Sequence, residues 1–209
     1  MRFFKTTEQQ KKYWKQRRLD WKKSYQNWEH PHRSLIIAVL QNLNWLSLIE
    51  TGCGAGANLI NIIKMMPGKQ VGGIDINSDA IELCKKTFNG GMFKVNSADD
   101  IMMSDKSVDV VLSDACLIYV GSRKIKKYLK EIKRIGRKYI VLCEFNSRSW
   151  LKRLVLKWKT GYNAYNWERL LDTQGFYDIQ LYKIPKEIWP GFPWEKFGYI
   201  IKAKIPKYV

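Results

Sequence analysis

The chain has 209 residues, with 37 Lys and Arg against 19 Asp and Glu and four cysteines. That length suits one domain with a sizeable core, or a core plus a small appendage. No run of about 18 apolar residues occurs and the opening M-R-F-F-K lacks a secretory hydrophobic segment, so a soluble, cytoplasmic protein without a transmembrane segment is expected.

Cys53, Cys84, Cys116 and Cys143 are scattered, form no C-x-x-C pair and stand apart from the histidines, which argues against a metal site and against a disulfide framework. The net charge of +18 is unevenly placed. Residues 1–33 hold ten Lys/Arg and three Asp/Glu, residues 34–121 six and nine, and residues 122–160 fourteen and two. Such a field favours anionic partners: nucleic acid, anionic lipid or a phosphorylated small molecule.

Residues 1–33 read as a separate basic segment. Trp14, Trp21 and Trp28 recur every seven positions with Tyr25 between the last two, giving an aromatic stripe on one helix across residues 6–29. It must stop by His30, because Pro31 disfavours helical geometry in the residue before it. This helix is expected to pack on the main domain as a lid or cap, and residues 30–33 read either as a plain helix break or as one that brings His32 or Arg33 to the pocket mouth. Residues 34–209 form the main domain, starting with an apolar helix over 34–43.

Residues 46–58, L-S-L-I-E-T-G-C-G-A-G-A-N, run from a buried strand through three alternate glycines into a helix. Gly52, Gly54 and Gly56 permit positive φ and close approach of a ligand to the backbone, so the turn is a nucleotide-type cradle. The pattern fits both the dinucleotide fingerprint G-x-G-x-x-G/A and the E/D-x-G-x-G-x-G signature of S-adenosylmethionine (SAM) enzymes, with Glu50 as the leading acid. Asp75 ends the next strand, V-G-G-I-D-I, at the distance where a carboxylate accepts bonds from ribose hydroxyls. Both cofactors carry a ribose, so the choice stays open here.

A capped helix follows to about residue 88, then a strand over 91–95, the segment N-S-A-D-D-I, and the strand S-V-D-V-V-L-S-D-A ending at Asp114. The series E-T-G-C-G-A-G, G-I-D-I-N, N-S-A-D-D-I and S-V-D-V-V-L-S-D-A resembles motifs I to IV of the class I SAM-dependent methyltransferases. The resemblance runs from about residue 46 to the C-terminus. It implies an α/β fold: a seven-stranded, mostly parallel Rossmann-like sheet with helices on both faces and an antiparallel last strand, here with the N-terminal aromatic helix added. It also implies SAM as cofactor, held by Glu50, Gly52, Cys53, Gly54, Gly56, Asn58, Asp75, Ile76, Ser97, Ala98, Asp99 and Asp114. Ser97 stands where the family usually has an Asp that recognises adenine, and Asp99 is its expected substitute.

Residues 122–135 read as a basic helix with Ile125, Tyr128, Leu129, Ile132 and Ile135 on one face. The strand over 137–145 ends at Glu144 and Asn146, which the carboxyl-end rule for α/β sheets puts at the pocket rim beside Asp114. Residues 147–166 form a basic insertion carrying a short cationic amphipathic helix, suited to a lid, a peripheral membrane contact or a nucleic-acid grip. A helix within 165–175 and strands over 177–184 and 197–205, joined by an aromatic loop, complete the chain.

Methyl transfer from a sulfonium is an in-line displacement, so the protein mainly positions the nucleophile. Candidates for a general base are Asp114, His32, Glu144 and Tyr119, in that order. The fourth motif lacks the [D/N/S]-P-P-[Y/F/W] tetrapeptide of amino-group base methyltransferases, and no Pro-Cys pair marks a cytosine-C5 enzyme. The expected acceptor is therefore a small molecule, sugar or lipid-like compound, possibly anionic. RNA methylation, a non-catalytic basic nucleic-acid-binding protein and an NAD-dependent oxidoreductase are the alternatives.

Overall fold

The computed structural model describes residues 6–27 and 29–207. Its secondary structure begins with α1 (Thr7–Gln16), a π-helical turn (Lys22–Gln26) and α2 (His32–Gln41). Then β1 (Ser47–Thr51), α3 (Ala57–Met65), β2 (Gln70–Asp75), α4 (Ser78–Thr87) and β3 (Phe93–Val95) alternate. After β4 (Val108–Asp114) come a 3-10 turn (Leu117–Tyr119), α5 (Ser122–Ile135) and β5 (Gly136–Phe145). The chain closes with α6 (Trp150–Thr160), α7 (Trp167–Asp172), β6 (Tyr177–Lys183), α8 (Trp194–Phe197) and β7 (Gly198–Lys204).

The seven strands lie in the order β3-β2-β1-β4-β5-β7-β6, and β7 runs antiparallel to both of its neighbours. This is the Rossmann-like architecture that the four motifs imply. Because both sheet faces are covered, the central strands carry apolar residues on both sides rather than alternately, with the polar Ser47, Glu50, Thr51, Asp109 and Ser113 toward their ends. Leu48, Val110, Leu112 and Val141 face α2, α3 and α4 with Ile36, Leu40, Leu59 and Ile81. Their neighbours Ile49, Val111, Ile140 and Leu142 face α5 and α7 with Leu129, Ile132 and Trp167. The five residues expected on the inner face of α5 are all buried.

Pairing register places the site. β1 matches Thr51 with Ile74 of β2 and with Ser113 of β4, so the three strands end level and their following loops converge. The switch in strand order lies between β1 and β4, the crevice where open α/β sheets bind ligands.

Two expectations are corrected. The N-terminal stripe is not one helix: α1 stops at Arg17, whose φ of −65° and ψ of 119° are extended, and the chain re-enters a helical turn only at Lys22. The Asn77 side chain donates to the carbonyls of Trp14 (2.8 Å) and Arg17 (2.9 Å), satisfying helix-end acceptors from across the fold and turning the chain there. Trp28 lies outside the described residues. The second correction concerns Glu144 and Asn146, neither of which stands at the pocket rim: Glu144 lies beneath the post-β4 loop and Asn146 faces the start of α7. Asn146 Oδ1 accepts from the Trp167 amide at 3.0 Å.

Glu144 is a clamp. Its Oε1 accepts from Ser113 Oγ and the amides of Cys116 and Leu117, and Oε2 from the Ile118 amide, at 2.8–3.1 Å. Burial pushes its carboxyl up to about 8, with the hydrogen bonds from Leu117, Ser113 and Cys116 pulling the other way. The clamp fixes the turn after Asp114, where Ala115 is held at φ +52°. Replacing Glu144 by Ala would orphan four buried donors at once, and we expect unfolding free energy to fall by about 3 kcal/mol in urea titration. A loss under about 1 kcal/mol would contradict the clamp.

Candidate active site

The crevice above β1, β2 and β4 is a cavity of about 260 Å³ roofed by the N-terminal segment. Its floor is the glycine turn. Gly52 (φ +71°) sits so close to the β4 loop that a Cβ there would lie 2.5 Å from Cys116 Sγ. The amides of Gly52 and Cys53 donate to the Ile74 carbonyl, and the Gly54 amide to Asp75 Oδ2 at 2.9 Å. Asp75 Oδ1 accepts from the Asn77 amide, and burial raises the Asp75 carboxyl despite these bonds. Asp75 thus ties the turn to the end of β2 before any ligand is considered.

A second group of side chains is made of acceptors. Asn58 Nδ2 donates to Glu50 Oε1 (2.6 Å) and Asp114 Oδ2 (2.9 Å), bridging two carboxylates from different strands. His32 Nε2 lies 2.8 Å from the same Asp114 oxygen. Burial pushes the Glu50 carboxyl well up. Burial acts on Asp114 in the same sense, but the His32 charge and hydrogen bond, with Asn58, outweigh it and hold the carboxyl at about 2. Two neighbouring acids are thereby driven apart in titration, Asp114 ionised by its partners and Glu50 drawn toward neutrality. Glu50 Oε2, Asn58 Oδ1 and Asp114 Oδ1 are buried and have no hydrogen-bond partner among the described residues. Three buried acceptors at one place cost several kcal/mol unless a donor-rich, cationic group meets them.

The roof supplies the complement. Trp14, Trp21 and Tyr25 line the cavity, and the indole Nε1 atoms of Trp14 and Trp21 are buried donors without a partner among the described residues. The roof is tied to the third-strand segment: Lys11 Nζ reaches Asp99 Oδ1 at 2.5 Å, Lys124 lies 3.6 Å from Asp99 and from Glu8, and the Gly121 amide donates to Thr7 Oγ1. Burial raises the Asp99 carboxyl, but Lys11, Ser97 and Lys124 hold it at about 2. Asp99 is therefore engaged by the protein's own lysine.

At the other end Trp189, from the β6–β7 connection, packs on the rings of His30 (4.5 Å) and His32 (4.2 Å) and stacks on Trp194 at 3.7 Å. The His30 and His32 Nδ1 atoms are 2.6 Å apart. Cys143 comes within 4.8 Å of His32 and Asp114, a proximity that their sequence separation conceals. Tyr119 lines the cavity and makes edge contacts with Trp14 and Tyr162; burial raises its phenol.

Of the expected cofactor residues, Glu50, Gly52, Cys53, Gly54, Asn58, Asp75, Ile76, Ser97, Ala98, Asp99 and Asp114 line this cavity, as do His32, Arg33 and Tyr119. Gly56 stands behind it at the start of α3, where a Cβ would lie 2.8 Å from the Phe88 ring. Glu144 is absent from the lining, as its clamp position requires. Lys11, Gln10, Asn96, Tyr128 and Trp189 line the cavity without having been singled out. Lys11 and Gln10 share α1 with Trp14, one turn away, so the stripe itself carried that signal. No local pattern marked Trp189.

A family model described as a methyltransferase domain matches residues 44–202. The chain is similar to an uncharacterized methyltransferase of Schizosaccharomyces pombe, 24% identical over 166 residues that cover 78% of this chain. The chain spans about 60% of the length of that curated relative. Among solved structures, a SAM-dependent methyltransferase of Methanosarcina mazei matches at 21% identity and TM-score 0.61, covering 80% of this chain and 96% of that one. The magnesium protoporphyrin IX methyltransferase of Synechocystis, solved with bound SAM, matches at 14% identity and TM-score 0.66, covering 96% and 97%. At these identities the structural likeness concerns the fold.

The Lys11–Asp99 pair has a consequence at acid pH. Asp99 is depressed from the ordinary 3.8 to about 2, so its contribution is fully present above pH 3.8 and is lost as pH falls through 2. Lys11→Ala should return Asp99 toward its ordinary value, cost about 1–2 kcal/mol at neutral pH and leave stability nearly unchanged at pH 2. Urea titrations at the two pH values check this; an equal loss at both would contradict it.

Proposed function

The chain belongs to the class I SAM-dependent methyltransferase family, and we propose that it transfers the SAM methyl group to a small-molecule, sugar or lipid-like acceptor. The observation that carries this reading is the set of three unpaired acceptors, Glu50 Oε2, Asn58 Oδ1 and Asp114 Oδ1, beside the glycine turn. A methionyl ammonium is a compact triple donor and fits such a set. The pyrophosphate of a nicotinamide dinucleotide needs donors instead, and the Gly54 amide that would serve it is already bound to Asp75. The same set therefore supports SAM over NAD.

In this reading Glu50, Asn58 and Asp114 receive the ammonium, and the Trp14 and Trp21 indoles offer donors to the carboxylate or ribose oxygens. Asp75 keeps lone pairs for the ribose hydroxyls. Adenine falls to Asn96, whose buried Oδ1 also has no partner among the described residues and suits an exocyclic amino group, and to the Ala98 wall. Asp99 is assigned to the roof rather than to adenine. When bound, SAM supplies a methyl carbon already activated by the adjacent sulfonium charge.

The acceptor is assigned to the end of the cavity lined by Asp114, Tyr119, Trp189 and Arg33. With Asp114 ionised, His32 Nε2–H donates to it and the His32–His30 contact holds the ring in place, so both histidines act as positioning residues. A carboxylate at about 2 is a weak base. It orients an N–H or O–H well but suits a nucleophile that needs little proton abstraction: an amine whose proton leaves after transfer, or an acidic hydroxyl or carboxylate. Apolar aromatic walls favour a flat or amphiphilic acceptor. Roofing by α1 argues against a folded RNA as acceptor.

Thermal-shift measurements test the reading: SAM and S-adenosylhomocysteine should raise the melting temperature by several degrees and NAD should leave it unchanged. Asp75→Ala should weaken SAM binding at least about 100-fold in calorimetry while the circular dichroism spectrum persists. Unchanged affinity would remove Asp75 from the cofactor site, and stabilisation by NAD alone would overturn the reading.

A further inference from the structure

We propose that α6 is an interfacial anchor that seats the protein on an anionic lipid bilayer. Amphipathic helices of globular proteins turn their apolar side inward. In α6 it is turned out: Trp150 and Trp158 are 65% and 69% exposed, and Leu151, Leu154 and Val155 are exposed beside them. At 100° per residue these five side chains cover an arc of about 140° along the whole helix. The inward side is narrow, with Leu156 the buried residue of the helix, packed among Ile118, Phe145, Ala164 and Phe197.

The polar residues flank this stripe rather than interrupt it. Lys152 and Lys159 run along one edge, and the Lys159 ammonium lies 5.9 Å above the half-exposed ring of Phe192, which widens the apolar surface. On the other edge Arg153 and Lys157 are turned back to the protein, donating to the carbonyls of Ser147, Arg148 and Gly161. Residues 147–166 contain five Lys/Arg and no Asp or Glu, within the stretch of strongest positive charge.

Shape and charge together choose the occupant. The stripe is a convex ridge of bulky side chains, which a fluid interface accepts without a matching groove. Tryptophans near both ends place amphipathic rings at headgroup depth while Leu151, Leu154 and Val155 enter the acyl boundary. The lysine edge complements anionic headgroups, each basic residue near the surface adding to the attraction. A second copy of the chain would oppose one lysine edge with another on molecules of net charge +18, an arrangement that repels itself. The assignment rests on α6 and its surroundings and does not depend on the methyl-transfer reading. It would nevertheless set the acceptor end of the cavity near the bilayer, because Leu156 packs in the same cluster as Tyr119 and Tyr162.

The test is co-sedimentation of the full chain with vesicles of equimolar phosphatidylcholine and phosphatidylglycerol, and with vesicles of phosphatidylcholine alone. Binding should be at least about tenfold tighter to the anionic vesicles and weaken with salt. A Trp150→Ser/Leu154→Ser/Trp158→Ser variant should bind at least about tenfold more weakly with an unchanged melting temperature, since its changes lie on the surface. Should that variant fail to fold, Lys152→Glu/Lys159→Glu provides the same readout through charge. Equal binding of wild type and a folded variant, or no binding to anionic vesicles, overturns the proposal. A concentration-dependent dimer in sedimentation velocity that the triple variant abolishes, without vesicle binding, would assign the face to a second copy instead.

Discussion

The site hangs on one shared carboxamide. Asn58 stands in the first turn of α3 and donates from a single nitrogen to Glu50, on β1, and to Asp114, at the end of β4. Two buried carboxylates this close would repel and both rise in pKa. His32 resolves the conflict by fixing charge on Asp114, which leaves Glu50 to absorb the cost of burial. The outcome is a polarised group with three buried acceptor atoms that have no partner among the described residues. Its existence depends on the glycine turn, because only a backbone free to take positive φ at Gly52, Gly54 and Gly56 folds α3 back far enough to bring Asn58 over β1.

The N-terminal segment completes what the sheet leaves open. It contributes the apolar roof and its indole donors, and it is held by a small apolar cluster of Trp21 with Ala55 and Ala80 and by polar ties, Lys11 to Asp99, Thr7 to Gly121, Asn77 to the Trp14 and Arg17 carbonyls, and Gln26 to Ala55 and Thr87. These contacts are few and most of the polar ones lie partly exposed, whereas the sheet beneath is held by two much larger apolar layers. The roof is thus the part of the site that can yield at least cost, a property that suits the passage of a cofactor.

Much of the fold was legible because its signals are local. The glycine turn, Asp75, the largely apolar strands and the inner face of α5 each follow from a few neighbouring residues. What escaped depends on long-range contacts. The break after α1 is held by Asn77, some sixty positions away, and the one local mark is Asp20, whose carboxylate caps the Lys23 amide where the helical turn restarts. Glu144 reads the same in sequence whether its carboxylate lines a pocket or clamps a loop; only the register of β5 against β4 decides. Trp189 reaches His32 through the irregular β6–β7 connection, where no periodicity guides a reader. α6 is a mixed case: its amphipathic pattern was plain, but a pattern does not say which side meets the protein.

Recognition of an ammonium by Glu50, Asn58 and Asp114 is the claim on which the functional account turns. Calorimetric comparison of S-adenosylhomocysteine with its analogue lacking the α-amino group tests it most directly. The account predicts that the parent binds and that the deaminated analogue binds about 100-fold more weakly, the loss of roughly 3 kcal/mol expected when buried acceptors, the Asp114 carboxylate among them, go unmet. Equal affinities would contradict it.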